Sequence, residues 1–245
     1  MIRALQHCQS ALGIIFDGDD TLWSSEQLYD DARSRGRLIV SNSGLNGAEW
    51  EQRERLLDVQ NVAKFKYSTD RFPTSCVQAY EELCRSSGRR IDNGIATQIR
   101  RTANSAFEND PPVMPGAKET LALLRSRGAR LALLTKGDYA LQCRRIERSG
   151  LREFFDLIRI VPEKTPDVIR DVVSALGVDA GATWMVGNSM RSDIFPAMKA
   201  GLRTVRIPAH VWEYERTYDR IEPDGMITTY HLADVPTVIT NDQDS

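Results

Sequence analysis

Two rhythms of apolar and polar positions run along this chain. Residues 12–16 (Leu-Gly-Ile-Ile-Phe) form a short apolar run that breaks at once into Asp17, Gly18, Asp19, Asp20 and Thr21. A run so short and so apolar predicts a buried strand. From about residue 25 to 109 the spacing becomes helical. Ile95, Ile99, Ala103, Ala106 and Phe107 share one face, with Arg100, Arg101 and Asn104 opposite. Val77, Tyr80, Leu83 and Cys84 predict another helix, and residues 50–62 a third. Asp110-Pro111-Pro112 ends this region as a linker.

Beyond Pro115 strands and helices alternate. Helices are predicted over 117–127, 139–149, 165–176 and 193–200, the first three stopped by Gly128, Gly150 and Gly177. Strands are predicted over 131–135, 155–161, 183–186 and 204–207. That alternation predicts an α/β fold, a Rossmann-like parallel sheet core flanked by helices. The core is expected over 1–23 and 113–245, with an all-helical cap, 24–112, inserted after the first strand. An insert placed there would sit over the crevice at the strand ends as a lid.

Composition changes this picture little. The 245 residues are 41% hydrophobic and 27% charged, as in an ordinary globular protein. A net charge of −2 gives no basic footprint for nucleic acid or an anionic membrane. The pairs Arg100-Arg101 and Arg144-Arg145 read as helix-surface charge. No apolar run approaches the ~20 residues that span a bilayer, and residues 1–10 lack the features of a signal peptide. Cys8, Cys76, Cys84 and Cys143 are scattered without a C-x-x-C pair, so a reduced, cytoplasmic protein is expected. His7, His210 and His231 lie too far apart to suggest a histidine metal site or a Ser-His-Asp triad. Residues 241–245 are polar and expected to be unstructured. The expected state is a monomer or homodimer acting on a small molecule.

The candidate chemistry lies where predicted strands end. Asp17 and Asp19 follow the first strand in the pattern D-x-D-x-T, and two carboxylates so close call for a cation such as Mg²⁺. An Asp in that position can attack phosphorus, and the one two residues on can exchange protons. Thr135 and Lys136 end the second strand, where a hydroxyl and a helix start can cradle phosphate; Thr and Asp138 serve equally as helix caps. Lys164 follows the third strand, either as a cation for a phosphoryl group or as an exposed loop lysine. Asn188 and Asp193 follow the fourth, and Asp193 is placed either to ligate a metal or to cap a helix.

These four ordered segments make the chain resemble the haloacid dehalogenase-like superfamily of phosphohydrolases with an α-helical cap after the first motif. The resemblance implies Asp17 as nucleophile, Asp19 as general acid and base, Thr135 and Lys164 on the phosphoryl group, and Asp193 with Asp17 and the Asp19 carbonyl on Mg²⁺. Asn188 stands where an Asp is frequent, which removes a negative charge next to the metal. True dehalogenases lack the second Asp, so Asp19 favours phosphate monoester hydrolysis through an aspartyl-phosphate. Phosphomutases share the same motifs, and phosphonate-cleaving relatives use a cap lysine, for which Lys64 and Lys66 are available. A non-catalytic binding role fits poorly with three retained carboxylates. Substrate choice is expected in the cap, in a loop carrying Lys64, Lys66, Tyr67 and Arg71.

Overall fold

The computed structural model describes residues 11–209, 212–218 and 221–243. His7, Cys8, His210, Asp244 and Ser245 lie outside them. Strand β1 (Gly13–Phe16) sits mid-sheet, with β2 (Arg130–Lys136) and β3 (Leu157–Val161) on one side. On the other side follow β4 (Thr183–Gly187), β5 (Arg203–Arg206) and β6 (Met226–Thr228). All neighbouring pairs are parallel, in the order β3-β2-β1-β4-β5-β6. The order reverses at β1, so the crevice opens at the carboxyl ends of β1 and β4.

Alternation along the strands builds two cores. Ile14, Phe16, Leu131, Leu133, Trp184 and Val186 face α5 (Ala117–Ser126), α6 (Tyr139–Ser149) and α9 (Val235–Gln243). Ile15, Ala132, Leu134 and Met185 face α7 (Pro166–Leu176) and α8 (Phe195–Lys199). Strands covered on both faces read as continuous apolar runs, which is why the sequence marks them so plainly. Each such fully buried aliphatic contributes roughly 1.5–3 kcal/mol.

Several boundaries differ from expectation for local reasons. Strand β3 begins at Leu157 because Arg152–Phe154 closes a 3₁₀ turn ahead of it. The helix expected from Asp193 starts as a π-turn over Met190–Ile194 before α8. Helix α9 runs on to Gln243, through the first part of the tail expected to be unstructured. Strand β6 and α9 carry too little periodicity to be foreseen.

Helices α1 (Glu26–Asn42), α2 (Gly47–Phe65), α3 (Arg71–Ser86) and α4 (Asn93–Glu108) share a separate apolar core that includes Val40, Trp50, Phe72, Tyr80, Leu83 and Ile99. Asn46 and Asp92 cap α2 and α4 through their side-chain oxygens. The chain leaves the sheet and returns to it through neighbouring backbones. Ser24 N donates to Pro112 O (2.9 Å), Met114 N to Leu22 O (2.9 Å), and Trp23 bridges Val113 antiparallel. The segment after β5 also reaches the helical layer: Arg71 lies over the Trp212 ring at 4.0 Å, and Arg55 pairs with Glu213 at 3.1 Å. Among the described residues, no helix is long and apolar enough to cross a membrane. Cys76 and Cys84 are buried and Cys143 half-buried, all as free thiols.

Candidate active site

Asp17 extends the β1 ladder by one step, its N–H donating to Val186 O at 2.9 Å. Its carboxylate is buried and fixed from two sides. Thr21 Oγ1 donates to Asp17 Oδ2 at 3.0 Å, which gives the third residue of the D-x-D-x-T pattern its use. Lys164 Nζ donates to Asp17 Oδ1 and, at 2.7 Å, to Asp193 Oδ1. One ammonium therefore bridges two carboxylates. Burial, then the nearby Asp193 carboxylate, push the pKa of Asp17 up to about 7 against the pull of Lys164. Burial works against the Lys164 ammonium, but Asp17 and Asp193 hold its pKa above the ordinary lysine value.

Asp193 owes its position to the π-turn and to Gly187. Ser189 N donates to Asp193 Oδ2 at 2.9 Å. A Cβ on Gly187 would lie 2.5 Å from Asp193 Cγ, so only glycine lets the carboxylate fold back over the end of β4. Asn188 is buried and lines the same cavity. Thr135 is buried too, and its Oγ1 has no hydrogen-bond partner. A buried hydroxyl left without a partner beside a cavity is suited to a ligand oxygen.

Asp19 turns away from this pair. Its carboxylate accepts from Trp23 Nε1 (2.6 Å), Arg145 Nη1 (2.8 Å) and Gln142 Nε2 (2.6 Å). Gln142 and Arg145 lie three apart on α6 and both are buried. The Arg144-Arg145 pair is thus not simple surface charge: Arg145 is 2% exposed and reaches into the site. Its signal in the sequence was a basic residue on the apolar face shared with Leu141 and Ile146. Asp20 adopts φ +60 and caps α1 from outside the helix, accepting from Glu26 N and Ser25 Oγ, both at 3.0 Å.

The cavity is about 130 Å³ and is walled by both layers. Tyr67 and Arg71 line it, but Lys64 and Lys66 do not. Lys64 ends α2 with its ammonium over the Phe65 ring, and Lys66 is exposed. Arg71 opens α3 rather than lying in a loop, and it donates to Asp58 Oδ2 at 2.8 Å. Lys136, expected on phosphate, instead donates to Glu215, to Ser192 Oγ (2.5 Å) and to Tyr67 Oη (3.2 Å). Glu215, in the 3₁₀ turn Glu213–Tyr218, is a residue that no motif marks.

The family model for haloacid dehalogenase-like hydrolases matches residues 12–201. The chain belongs to this family. Among the haloacid dehalogenase-like proteins, it is 34% identical to a pyrimidine 5'-nucleotidase of Escherichia coli, over 90% of this chain and 92% of that protein. It is 31% identical to a glyceraldehyde 3-phosphate phosphatase of Pyrococcus abyssi, over 78% of this chain and 79% of that protein. A haloacid dehalogenase-like hydrolase of known structure from Xanthomonas campestris superposes with a TM-score of 0.78 at 26% identity, covering 97% of this chain and 94% of its own.

Proposed function

We propose that this phosphomonoester hydrolase acts on a small ester through a phosphorylated Asp17. The observation that carries the reading is the convergence of Asp17, Lys164 and Asp193 on one buried point beside the unpartnered Thr135 hydroxyl. Asp17 Oδ attacks phosphorus, and the bond from phosphorus to the leaving oxygen breaks. Lys164 Nζ and Thr135 Oγ1 donate to the phosphoryl oxygens, where charge is spread in the transition state. Asp19 gives its proton to the leaving alkoxide. The same carboxylate then takes a proton from water as that water attacks phosphorus, which releases phosphate and restores Asp17. Arg145, Gln142 and Trp23 orient that carboxylate, which is turned from Asp17 in this structure and has to rotate to reach the leaving oxygen.

The donor set suits Mg²⁺. Among the described residues no three His, Cys, Asp or Glu side chains gather as a complete metal cage. Mg²⁺ needs fewer, since it keeps several waters and takes one or two carboxylates with substrate phosphate. Asp17 and Asp193 would hold it, with Asn188 close by as a neutral oxygen donor. When bound, the metal supplies positive charge to the phosphoryl oxygens. The helical layer, residues 24–112, closes the cavity from above and supplies Tyr67 and Arg71 to its wall. A cavity of about 130 Å³ is below the roughly 300–1,000 Å³ of drug-sized clefts, which favours a compact alcohol.

The test is phosphate release from a panel of phosphomonoesters, with Mg²⁺ and with chelator, beside Asp17→Asn. Metal-dependent release that Asp17→Asn abolishes is expected. Retained turnover in that variant removes Asp17 as nucleophile, and transfer of phosphate to a second substrate instead of water makes the protein a phosphotransferase.

A further inference from the structure

Five basic residues line the cavity, and each already has a carboxylate. Lys164 bridges Asp17 and Asp193, and Arg145 is bound to Asp19. Arg71 pairs with Asp58 at 2.8 Å, and Arg33 with Glu26 at 2.9 Å and Glu54 at 3.0 Å. Lys136 is neutralised by Glu215. Among the described residues, seven carboxyl groups of the lining face these five cations.

Glu215 is the one partner brought in from outside the four motif segments and the helical layer. It is buried, and its Oε2 accepts from Ser189 Oγ (2.7 Å) and Ser192 Oγ (2.6 Å) while Oε1 accepts from Lys136. Burial opposes its charge, but Lys136 and the two hydroxyls hold its pKa below the usual glutamate value. Lys136 stands at the end of β2, next to Thr135, where a free ammonium would attract any second anion on the substrate. With Glu215 in place it does not.

We propose that Glu215 determines specificity: by neutralising Lys136 it restricts the enzyme to phosphomonoesters whose alcohol carries no second anionic group. This rests on the phosphatase reading above. The phosphoryl group has its own counter-charge at Lys164 and the metal position. A carboxylate or second phosphate on the leaving group would enter a cavity whose described cations are each already paired, with carboxylates around it.

The experiment compares kcat/KM for matched esters that differ in one group, such as glyceraldehyde 3-phosphate against 3-phosphoglycerate. The wild-type protein is expected to favour the aldehyde by about tenfold or more. Glu215→Gln keeps an oxygen for Ser189 and Ser192 but frees the Lys136 charge, and should cut that preference about tenfold by lowering KM for the carboxylate ester. Adding Lys136→Gln should restore the preference. Equal or reversed selectivity in the wild type, or a ratio unmoved by Glu215→Gln, overturns the proposal; should that variant fail to fold, the wild-type ratio alone decides. Absence of Asp17-dependent release from either ester would instead sink the phosphatase reading.

Discussion

Arg145 Nη1 donates to Oδ1 of Asp19 across 2.8 Å, from the helix α6 whose Ile146 packs into the sheet core and whose Gln142 donates to the same carboxylate. The carboxylate it holds is the one assigned to proton transfer. Arg145→Met should lower kcat by about ten- to a hundredfold with little change in KM, because positioning of a proton donor matters in the transition state. Steady-state kinetics on the best ester checks this. An unchanged kcat would make the contact purely structural.

Gly187→Ala should loosen the metal position without touching the nucleophile. The added Cβ meets Asp193 at 2.5 Å and forces that carboxylate away from Lys164. The Mg²⁺ concentration for half-maximal activity should rise about tenfold. Calorimetric Mg²⁺ titration provides the same readout without turnover.

Glu54 gives the helical layer a pH dependence. Burial, set against Arg33 and reinforced by Asp58, pushes its pKa up to about 7 from 4.5. Arg55 also bears on it, and the buried Cys76 thiol faces the pair from α3. The folded state therefore binds this proton more tightly than the unfolded chain, so Glu54 costs stability as pH rises from about 4.5 to about 7. Thermal melts of Glu54→Gln should show a flatter profile across that window than wild type. Parallel profiles would assign the proton elsewhere.

Lys66 adopts φ +53 and ψ −129 at the end of α2, a backbone state that a side chain disfavours. Lys66→Gly should stabilise the fold by about 1 kcal/mol, raising Tm by roughly 2–4 °C. Since Lys66 is exposed and outside the cavity wall, KM for the best ester should not move. A raised KM would return it to the site.

The parts of the site legible in the sequence are those that local chemistry fixes. Asp17 follows the apolar run of β1 directly and Thr135 lies at the end of β2, while Lys164 and Asp193 come in the short segments after β3 and β4. Glu215 was invisible because it reaches the cavity from an irregular turn, with neither periodicity nor a motif around it. Arg145 looked like one of a surface pair, since a sequence does not say which of two adjacent arginines faces inward. Lys136 lies at the end of β2, but its partner comes from residue 215, and no local pattern carries that contact. Lys64 and Lys66 are marked by the basic and aromatic mix of their segment and by the cap lysine of phosphonate-cleaving relatives, but Lys64 lies in the last turn of α2, Lys66 follows it, and both are exposed.

The paired backbones at residues 22–24 and 112–114 leave the ends of the helical insertion side by side on the sheet. Everything between them is thus a replaceable cartridge. A graft of another helical unit across that seam would need no new path through the core, and neither Asp17 nor Lys164 would have to be redrawn. Such an exchange would cut the contacts between this insert and the core, among them Trp212 and Glu213 of the segment after β5 with Arg71 and Arg55, and Tyr67 with Lys136 and Glu163. Changing the alcohol this protein accepts is therefore a problem of the cartridge together with the core residues that dock against it, the short turn after β5, Lys136 and Glu163.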